Sequence, residues 1–140
     1  MSDAQYAAYT MIATSTLTAS LADNLSARHS FNKTNCLIDV AYTPAQNGRI
    51  CTILVEFATG DFHDFLNTTL VYSPLTVLLA TDTTGSRSAL EAPITITGAT
   101  ATTKYTRRFD LREIGQNIRL SAKENGAASF GTVQIKATFY

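Results

Sequence analysis

The stretch from Arg107 to Tyr140, RRFDLREIGQNIRLSAKENGAASFGTVQIKATFY, contains two clear strand patterns. From Val133 to Phe139, apolar and polar residues alternate, and this period of two is typical of a strand with one buried face. A second pattern of the same kind covers residues 118–123. Between them, residues 124–131 include an Asn-Gly pair and a second glycine, which permit positive φ. These features predict a β-hairpin that ends the fold.

A similar pair of patterns lies earlier in the chain, at residues 36–43 (CLIDVAYT) and 51–58 (CTILVEFA). The segment PAQNG between them has a proline near its start and Asn-Gly at its end, as turns do. This arrangement predicts a second hairpin. Asp39 and Glu56 lie opposite the stronger apolar stripe, so we expect them on a solvated face.

Further short strands are predicted from Leu70 to Ala80, where Pro74 divides the pattern, and at residues 93–97 and 104–111, with a loop at residues 81–87. In the last of these strands Arg107 interrupts the apolar face, which indicates a sheet edge or the end of a barrel. The whole chain then has seven to nine short strands and no helix longer than two turns. We therefore expect a single all-β domain over residues 1–140, an antiparallel β-sandwich of jelly-roll or immunoglobulin-like type.

The apolar faces of the alternating runs predict the core of this sandwich. Its expected members are Ile38, Val40, Ile53, Val55, Phe57, Ile118, Leu120, Val133, Ile135 and Phe139. Two cysteines, Cys36 and Cys51, would lie at opposite ends of a strand pair, too far apart for a disulfide, so we expect buried free thiols.

Residues 1–30 form a weakly amphipathic segment with two possible roles. It is either an arm that packs on a neighbouring chain or an edge strand of its own sheet. Under the first interpretation its apolar residues contact a partner, because exposed apolar surface usually marks an interaction site. The candidate partner-binding residues of this segment are Tyr6, Tyr9, Met11 and Ile12.

Composition excludes several classes of protein. The chain has 11 basic and 11 acidic residues, so no net charge attracts nucleic acid or an anionic membrane. It has no run of about 18 apolar residues that would span a membrane, and its N-terminus lacks the basic region of a secretory signal. We expect neither nucleic acid nor membrane as a partner.

A catalytic or metal site would start from His63, which lies between Asp61 and Asp64 with Glu56 upstream. Asp61 and Asp64, or Asp82 with loop carbonyls, would also offer oxygen ligands to calcium. Neither segment has the spacing of a known motif, and His29 lies in a polar stretch with no evident partner. We interpret all of these as polar loop residues and expect no enzyme activity, no metal and no cofactor.

The main concentration of charge is a basic group that includes the candidate partner-binding residues Arg107, Arg108 and Arg112. Its further members are Lys104 and Arg119, and Tyr105 and Phe109 are interleaved with them. This composition raises the possibility of a nucleic-acid surface. Because Asp110 and Glu113 lie inside the group, we expect ion pairs within the chain or with a neighbouring subunit instead.

Three stretches carry a resemblance to small all-β structural proteins of tailed phages. They are LIDVAYTPAQNGRICTILVEFATGDFHDF, RRFDLREIGQNIRLSAKENG and GTVQIKATFY, about half of the chain. The chain departs from the family pattern after the Gly-Asp turn, where Phe62, His63 and Phe65 stand in place of a Trp-Tyr pair.

The resemblance implies a capsid decoration (cement) protein, or else a neck, tail or fibre subunit. It also implies no catalytic residues, partners among the major capsid protein and other virion proteins, self-association into a homo-oligomer, and a place in the virion, assembled in the host cytoplasm. A rival of another class is a carbohydrate-binding β-sandwich, which needs an exposed aromatic platform. With no tryptophan in the chain, Tyr6, Tyr9, Tyr72 and Tyr105 are the candidates for that platform.

Overall fold

A computed structural model describes the chain over residues 7–74, 76–77, 89–90 and 93–140, and in these ranges strands predominate. The strands are β1 (Ala7–Thr16), β2 (Leu25–His29), β3 (Asn35–Thr43), β4 (Ile50–Ala58), β5 (Ser73–Pro74), β6 (Thr76–Val77), β7 (Ala89–Leu90), β8 (Ile94–Thr97), β9 (Thr103–Asp110), β10 (Asn117–Glu124) and β11 (Thr132–Phe139). The predicted strand and loop over residues 75–87 lie outside the described residues, apart from β6.

The helices are short. They are a 3-10 turn at Leu21–Asp23, α1 at Phe62–Leu66 and α2 at Leu111–Ile114. Among the described residues, no helix has the length and apolar character needed to cross a membrane.

The longer strands pair in a nested order. β1 pairs with β11, β2 with β10, β3 with β9 and β4 with β8, all antiparallel. This long ribbon is rolled up, so that β11 also pairs with β3 and β10 with β4. The result is two sheets, β1-β11-β3-β9 and β2-β10-β4, with β5 and β8 both on the outer edge of β4. This is the strand order of a jelly roll. The predicted antiparallel β-sandwich is confirmed, and the jelly-roll alternative is the one observed.

Both predicted hairpins are wrong. The strands at 36–43 and 51–58 belong to different sheets, and so do those at 118–123 and 132–139. Their apolar faces meet across the core instead of lying side by side. A period of two identifies the buried face of a strand but not its neighbour, because two strands of one sheet and two facing strands show the same pattern. Residues 44–49 and 125–131 are long enough to cross the roughly 10 Å between sheets.

The core prediction is confirmed. All ten of the expected core residues are buried between the two sheets. The structure adds Tyr42, Leu17 and Leu111, which are almost fully buried as well. The alternation along the strands therefore located the interior even though the strand pairing was mistaken.

The N-terminal segment is an edge strand of its own sheet, the second of the two predicted alternatives. β1 pairs with β11 from Ala7 to Thr16, with two register shifts, between Thr10 and Ile12 and between Ile12 and Ser15. Such irregularities are common at sheet edges, where they hinder pairing with another chain.

The two cysteines are buried free thiols, as predicted. Burial raises the pKa of each, Cys36 and Cys51, to about 12, so both stay protonated at neutral pH. Their predicted position at opposite ends of one strand pair is wrong, since the two residues lie on strands of different sheets.

Candidate partner-binding surface

Exposed aromatic and aliphatic side chains gather at one end of the jelly roll. We call Phe31, Phe62, Phe65 and Leu66 the aromatic patch. The exposed fractions are 47% for Phe31, 40% for Phe62 and 61% for Leu66, large values for apolar residues. The ring centroids of Phe31 and Phe62 are 4.8 Å apart, and the ring of Phe65 stacks on that of Phe62 at 6.1 Å. The three rings are thus contiguous, and the exposed Leu66 belongs to the same helix as Phe62 and Phe65.

Local sequence positions the α1 side of the patch. Asp61 is the N-cap of α1 and accepts a hydrogen bond from the backbone N–H of Asp64, while the Asp64 carboxylate accepts one from the N–H of Asp61. This reciprocal capping box determines where α1 begins. The bond from the Asp64 N–H holds the pKa of Asp61 below its usual range. Phe62 and Phe65, three residues apart, therefore project from a short helix with a well-defined start.

A buried polar group supports the patch from below. His29, at the end of β2, is 4% exposed, and its Nδ1 lies 2.8 Å from Oδ1 of Asn117, which is fully buried. The Asn117 side-chain N–H groups donate to the carbonyls of Ala58 (3.2 Å) and Gly60 (3.1 Å). Since Oδ1 can only accept, the Nδ1 of His29 carries the proton. The expectation that His29 is a polar loop residue without a partner is wrong.

The His29 ring also contacts the patch. Its centroid lies 5.2 Å from that of Phe31, edge to face, and 5.7 Å from that of Phe62. Phe31 and the following Asn32 have φ of 54° and 63°, in the left-handed region that bulky residues rarely adopt. The turn therefore holds Phe31 in an uncommon conformation that keeps its ring against His29 and Phe62.

A groove of about 310 Å³ continues from the patch over the outer face of the β2-β10-β4 sheet. Phe65 and Tyr72 contribute aromatic surface to it, and Arg119 of β10 also lines it. The Arg119 guanidinium is 4.5 Å from the Tyr72 ring centroid and 2.9 Å from the Glu56 carboxylate. Glu56 was expected on a solvated face, but this ion pair leaves it only 9% exposed.

The predicted acidic and histidine candidates do come together. Ligand atoms of Asp61, His63 and Asp64 lie within 4.8 Å of one another. The capping box accounts for both carboxylates, and Asn67 lies against the His63 ring. The hydrogen bonds at the start and end of α1 therefore explain why these three side chains lie close together.

Two of the N-terminal candidates lie inside the fold. Met11 and Ile12 are each 6% exposed and belong to the chain's own core, so their assignment to a partner contact is wrong. Tyr9 is half-buried against Phe139, and the Arg28 guanidinium lies 4.0 Å above its ring. Tyr6 lies outside the described residues. The apolar stripe was too thin to indicate that β11 would supply its neighbour.

The basic group is divided between the two sheets. Arg107 and Arg108 lie on β9, an edge strand as predicted, and Arg112 forms a two-pronged ion pair with Asp110 at 2.8 Å. This ion pair confirms the expectation of pairing within the chain and lowers the pKa of Asp110. Arg119 lies in the opposite sheet, so its inclusion in the group is wrong. Arg107 is half-buried beside Phe109, and burial lowers its pKa.

Three of the tyrosines proposed for a carbohydrate platform lie within the described residues, and they do not share a surface. Tyr9 and Tyr105 lie on β1 and β9, opposite edges of one sheet, and both pack against the core. Tyr72 precedes β5, and its ring lies under Arg119 of the other sheet. Among the described residues, the aromatic surface that is exposed consists of phenylalanines to which no binding role was assigned from the sequence. The motif Phe-His-Asp-Phe after Gly-Asp was the signal that could have revealed it.

Comparison with known proteins adds no family. A scan against protein-family models gives no match to this chain, and neither does a search of the curated proteins.

Proposed function

We propose that this protein is a structural component of a tailed-phage particle, a capsid decoration protein that stabilises the head through protein-protein contacts. The observation that carries the proposal is the aromatic patch. Contiguous exposed apolar surface on a small domain usually marks a site of interaction, and exposed aromatic residues are frequent anchors of protein interfaces.

The fold is compatible with this role. Jelly rolls occur in viral capsid proteins and also in lectins, so the fold by itself does not select a function. The residue patterns that resemble phage structural proteins favour the first of these. The separation of Tyr9, Tyr72 and Tyr105 counts against the carbohydrate-binding alternative.

The chemistry of the polar clusters supports a role in binding. The carboxylates beside His63 act in a helix cap, and the His29 imidazole is held by Asn117 under the patch. Each of these groups thus has a structural task in the described part of the chain. We infer that the protein works without turnover or a cofactor and that its ligand is another protein.

The direct test is binding of the purified full-length chain to the empty phage shell. We expect saturable binding with many copies per particle, and only a modest decrease between about 0.05 and 1 M salt, because apolar contacts are not screened. Phe62→Ala and Leu66→Ala should weaken binding at least tenfold in combination. Leu25→Ala is the matched control, since Leu25 is 52% exposed but lies outside the patch.

Each other outcome has a clear meaning. A few copies per particle at one vertex would favour a neck, tail or fibre subunit. Loss of binding across the salt range would move the contact to the basic strand β9 with Arg107 and Arg108. Absence of any binding to the shell would overturn the proposal.

A further inference from the structure

Arginine side chains cover three aromatic rings outside the patch. The guanidinium carbon of Arg28 lies 4.0 Å from the ring centroid of Tyr9, that of Arg119 lies 4.5 Å from Tyr72, and that of Arg107 lies 5.0 Å from Phe109. These distances are within the range of a cation-π contact. This jelly roll therefore uses the same device at three places to cover an aromatic ring that the sheets leave partly open.

In the described part of the chain, the aromatic patch lacks this cover. Within the described ranges, no arginine or lysine lies over the ring of Phe31 or Phe62, although both are more than one-third exposed. The charges next to Phe62 in the chain are negative, because Asp61 precedes it and Asp64 follows two residues later. Asp61 is exposed and Asp64 half-buried, and each uses only one of its two carboxylate oxygens in the capping box. Open aromatic faces next to carboxylates are suited to a cation and repel an anion.

We propose that the aromatic patch receives a cationic side chain, an arginine presented by the partner protein, whose guanidinium lies over the Phe31 or Phe62 ring and pairs with a carboxylate beside Phe62. This inference rests on the proposed function, in which the patch is the contact with the phage shell. It adds the chemical character of the partner side chain.

Arginine suits the patch better than other side chains. Its guanidinium is planar, weakly hydrated and stacks on aromatic faces, and it forms charge-assisted hydrogen bonds with carboxylates. Its aliphatic stem can cover apolar surface such as that of Leu66, which is 61% exposed. A lysine ammonium is more strongly hydrated and would lose more on leaving water. An acidic side chain would face Asp61 and Asp64.

The first experiment uses peptides and no shell. The full-length protein, with its phenylalanine rings isotopically labelled, is titrated with acetyl-Gly-Arg-Gly-amide and followed by NMR. The control peptide carries citrulline, which has nearly the shape of arginine but no charge. We expect the arginine peptide to shift the Phe31 and Phe62 signals and to bind about two- to fivefold more tightly than the citrulline peptide, as an exposed cation-π contact allows. Equal shifts with both peptides would overturn the proposal.

Two conservative variants separate charge and ring from structure. Asp61→Asn keeps a good N-cap for α1 but removes one carboxylate charge. Phe62→Leu keeps apolar area but removes the aromatic face. Each should weaken binding of the arginine peptide about two- to fivefold, with little change for the citrulline peptide and in the unfolding midpoint. Unchanged affinity of both variants for the arginine peptide would refute the arginine contact.

The same variants on the shell keep this inference distinguishable from the proposed function. If the wild-type chain binds no shell but responds to the arginine peptide, the capsid role fails and the cation site remains. If Asp61→Asn and Phe62→Leu bind the shell as tightly as the wild type, the arginine contact fails and the capsid role remains. A shift of the free protein to a dimer, lost in Phe62→Leu, would identify the arginine as that of a second copy and would overturn the assignment to the shell.

Discussion

The two ends of β10 each hold a fully buried polar side chain, and they are closed in different ways. At the first end, the neutral Asn117 is bonded to His29 and to two backbone carbonyls. At the other, Glu124 accepts hydrogen bonds from the Tyr42 hydroxyl and from the Gly131 N–H, the latter at 2.8 Å. Both arrangements satisfy polar groups that would otherwise destabilise the core.

The two ends differ more in the residues that cover them than in their buried polar groups. Above Glu124, Arg49 lies 3.7 Å from the carboxylate and donates to the carbonyls of Asn125 and Ser129, so the loop between β10 and β11 closes with polar contacts. A side chain would not fit at Gly131, because its Cβ would lie only 2.1 Å from the Thr43 carbonyl oxygen. Above Asn117 the covering is the exposed aromatic patch. A buried polar residue thus closes both ends, and excess apolar surface distinguishes the end that we assign to a partner.

The first prediction has the largest expected effect, and it compares the stability loss from a core residue with that from a patch residue at the Asn117 end. Phe57 is 5% exposed and packs edge to face on Phe109, so Phe57→Ala should lower the free energy of unfolding by about 3–5 kcal/mol. Phe62→Ala should lower it by only about 1–2 kcal/mol, because the side chain is already 40% exposed. Chemical denaturation of both variants measures the difference. Equal losses would show that the patch belongs to the core.

The second prediction concerns the charged end. Glu124→Ala leaves the Tyr42 hydroxyl and the Gly131 N–H without their acceptor inside the protein, and we expect a loss of about 2–4 kcal/mol. Asp39→Ala is the control, since its exposed carboxylate accepts one hydrogen bond, from the Thr106 hydroxyl, and should contribute about 1 kcal/mol or less. Similar losses for the two variants in urea denaturation would contradict the buried network.

The third prediction tests the neutral end. Asn117→Ala removes the partner of His29 and leaves the carbonyls of Ala58 and Gly60 without these bonds, at a cost of about 1–3 kcal/mol. Because His29 supports Phe31, shell binding should fall as well. Glu124→Ala should leave the shell binding of its folded fraction unchanged. Normal binding by folded Asn117→Ala would show that the polar group does not position the patch.

The smallest effect is on pH dependence. The folded state lowers the pKa of Asp61 through the Asp64 N–H, so the cap stabilises the fold above the unfolded Asp value of about 3.9. That contribution should be lost as pH falls through the lower folded pKa. Thermal unfolding midpoints from about pH 6 to pH 3 should therefore decrease less in Asp61→Asn than in the wild type. A parallel decrease would exclude a role for the cap charge.

Much of the interior followed from the sequence because burial in a strand is a local pattern. Ile38, Val40 and Ile135 alternate with polar neighbours, and such a residue is buried whichever strand lies beside it. The edge position of β9 was predictable for a similar reason, since Arg107 interrupts an apolar face. The cysteines could be recognised as buried thiols from their place in these stripes.

The aromatic patch was only partly predictable. Asp61 and Asp64 have the spacing of a capping box, so the start of α1 was within reach of the sequence. The contact between His29 and Asn117 was not predictable, because it joins residues 88 positions apart. Neither was the position of Phe31, which depends on a turn with positive φ at two residues other than glycine.

By itself, the sequence determined which face of each strand is buried, and therefore an all-β sandwich with a definite core. Only the tertiary structure decided which strands are neighbours. The pairing of β1 with β11 and of β2 with β10 joins distant segments, and the energy that selects it comes from packing both sheets on one core at once. The same rolling brings the ends of β2, β4 and β10 together, and the aromatic patch exists only because they meet.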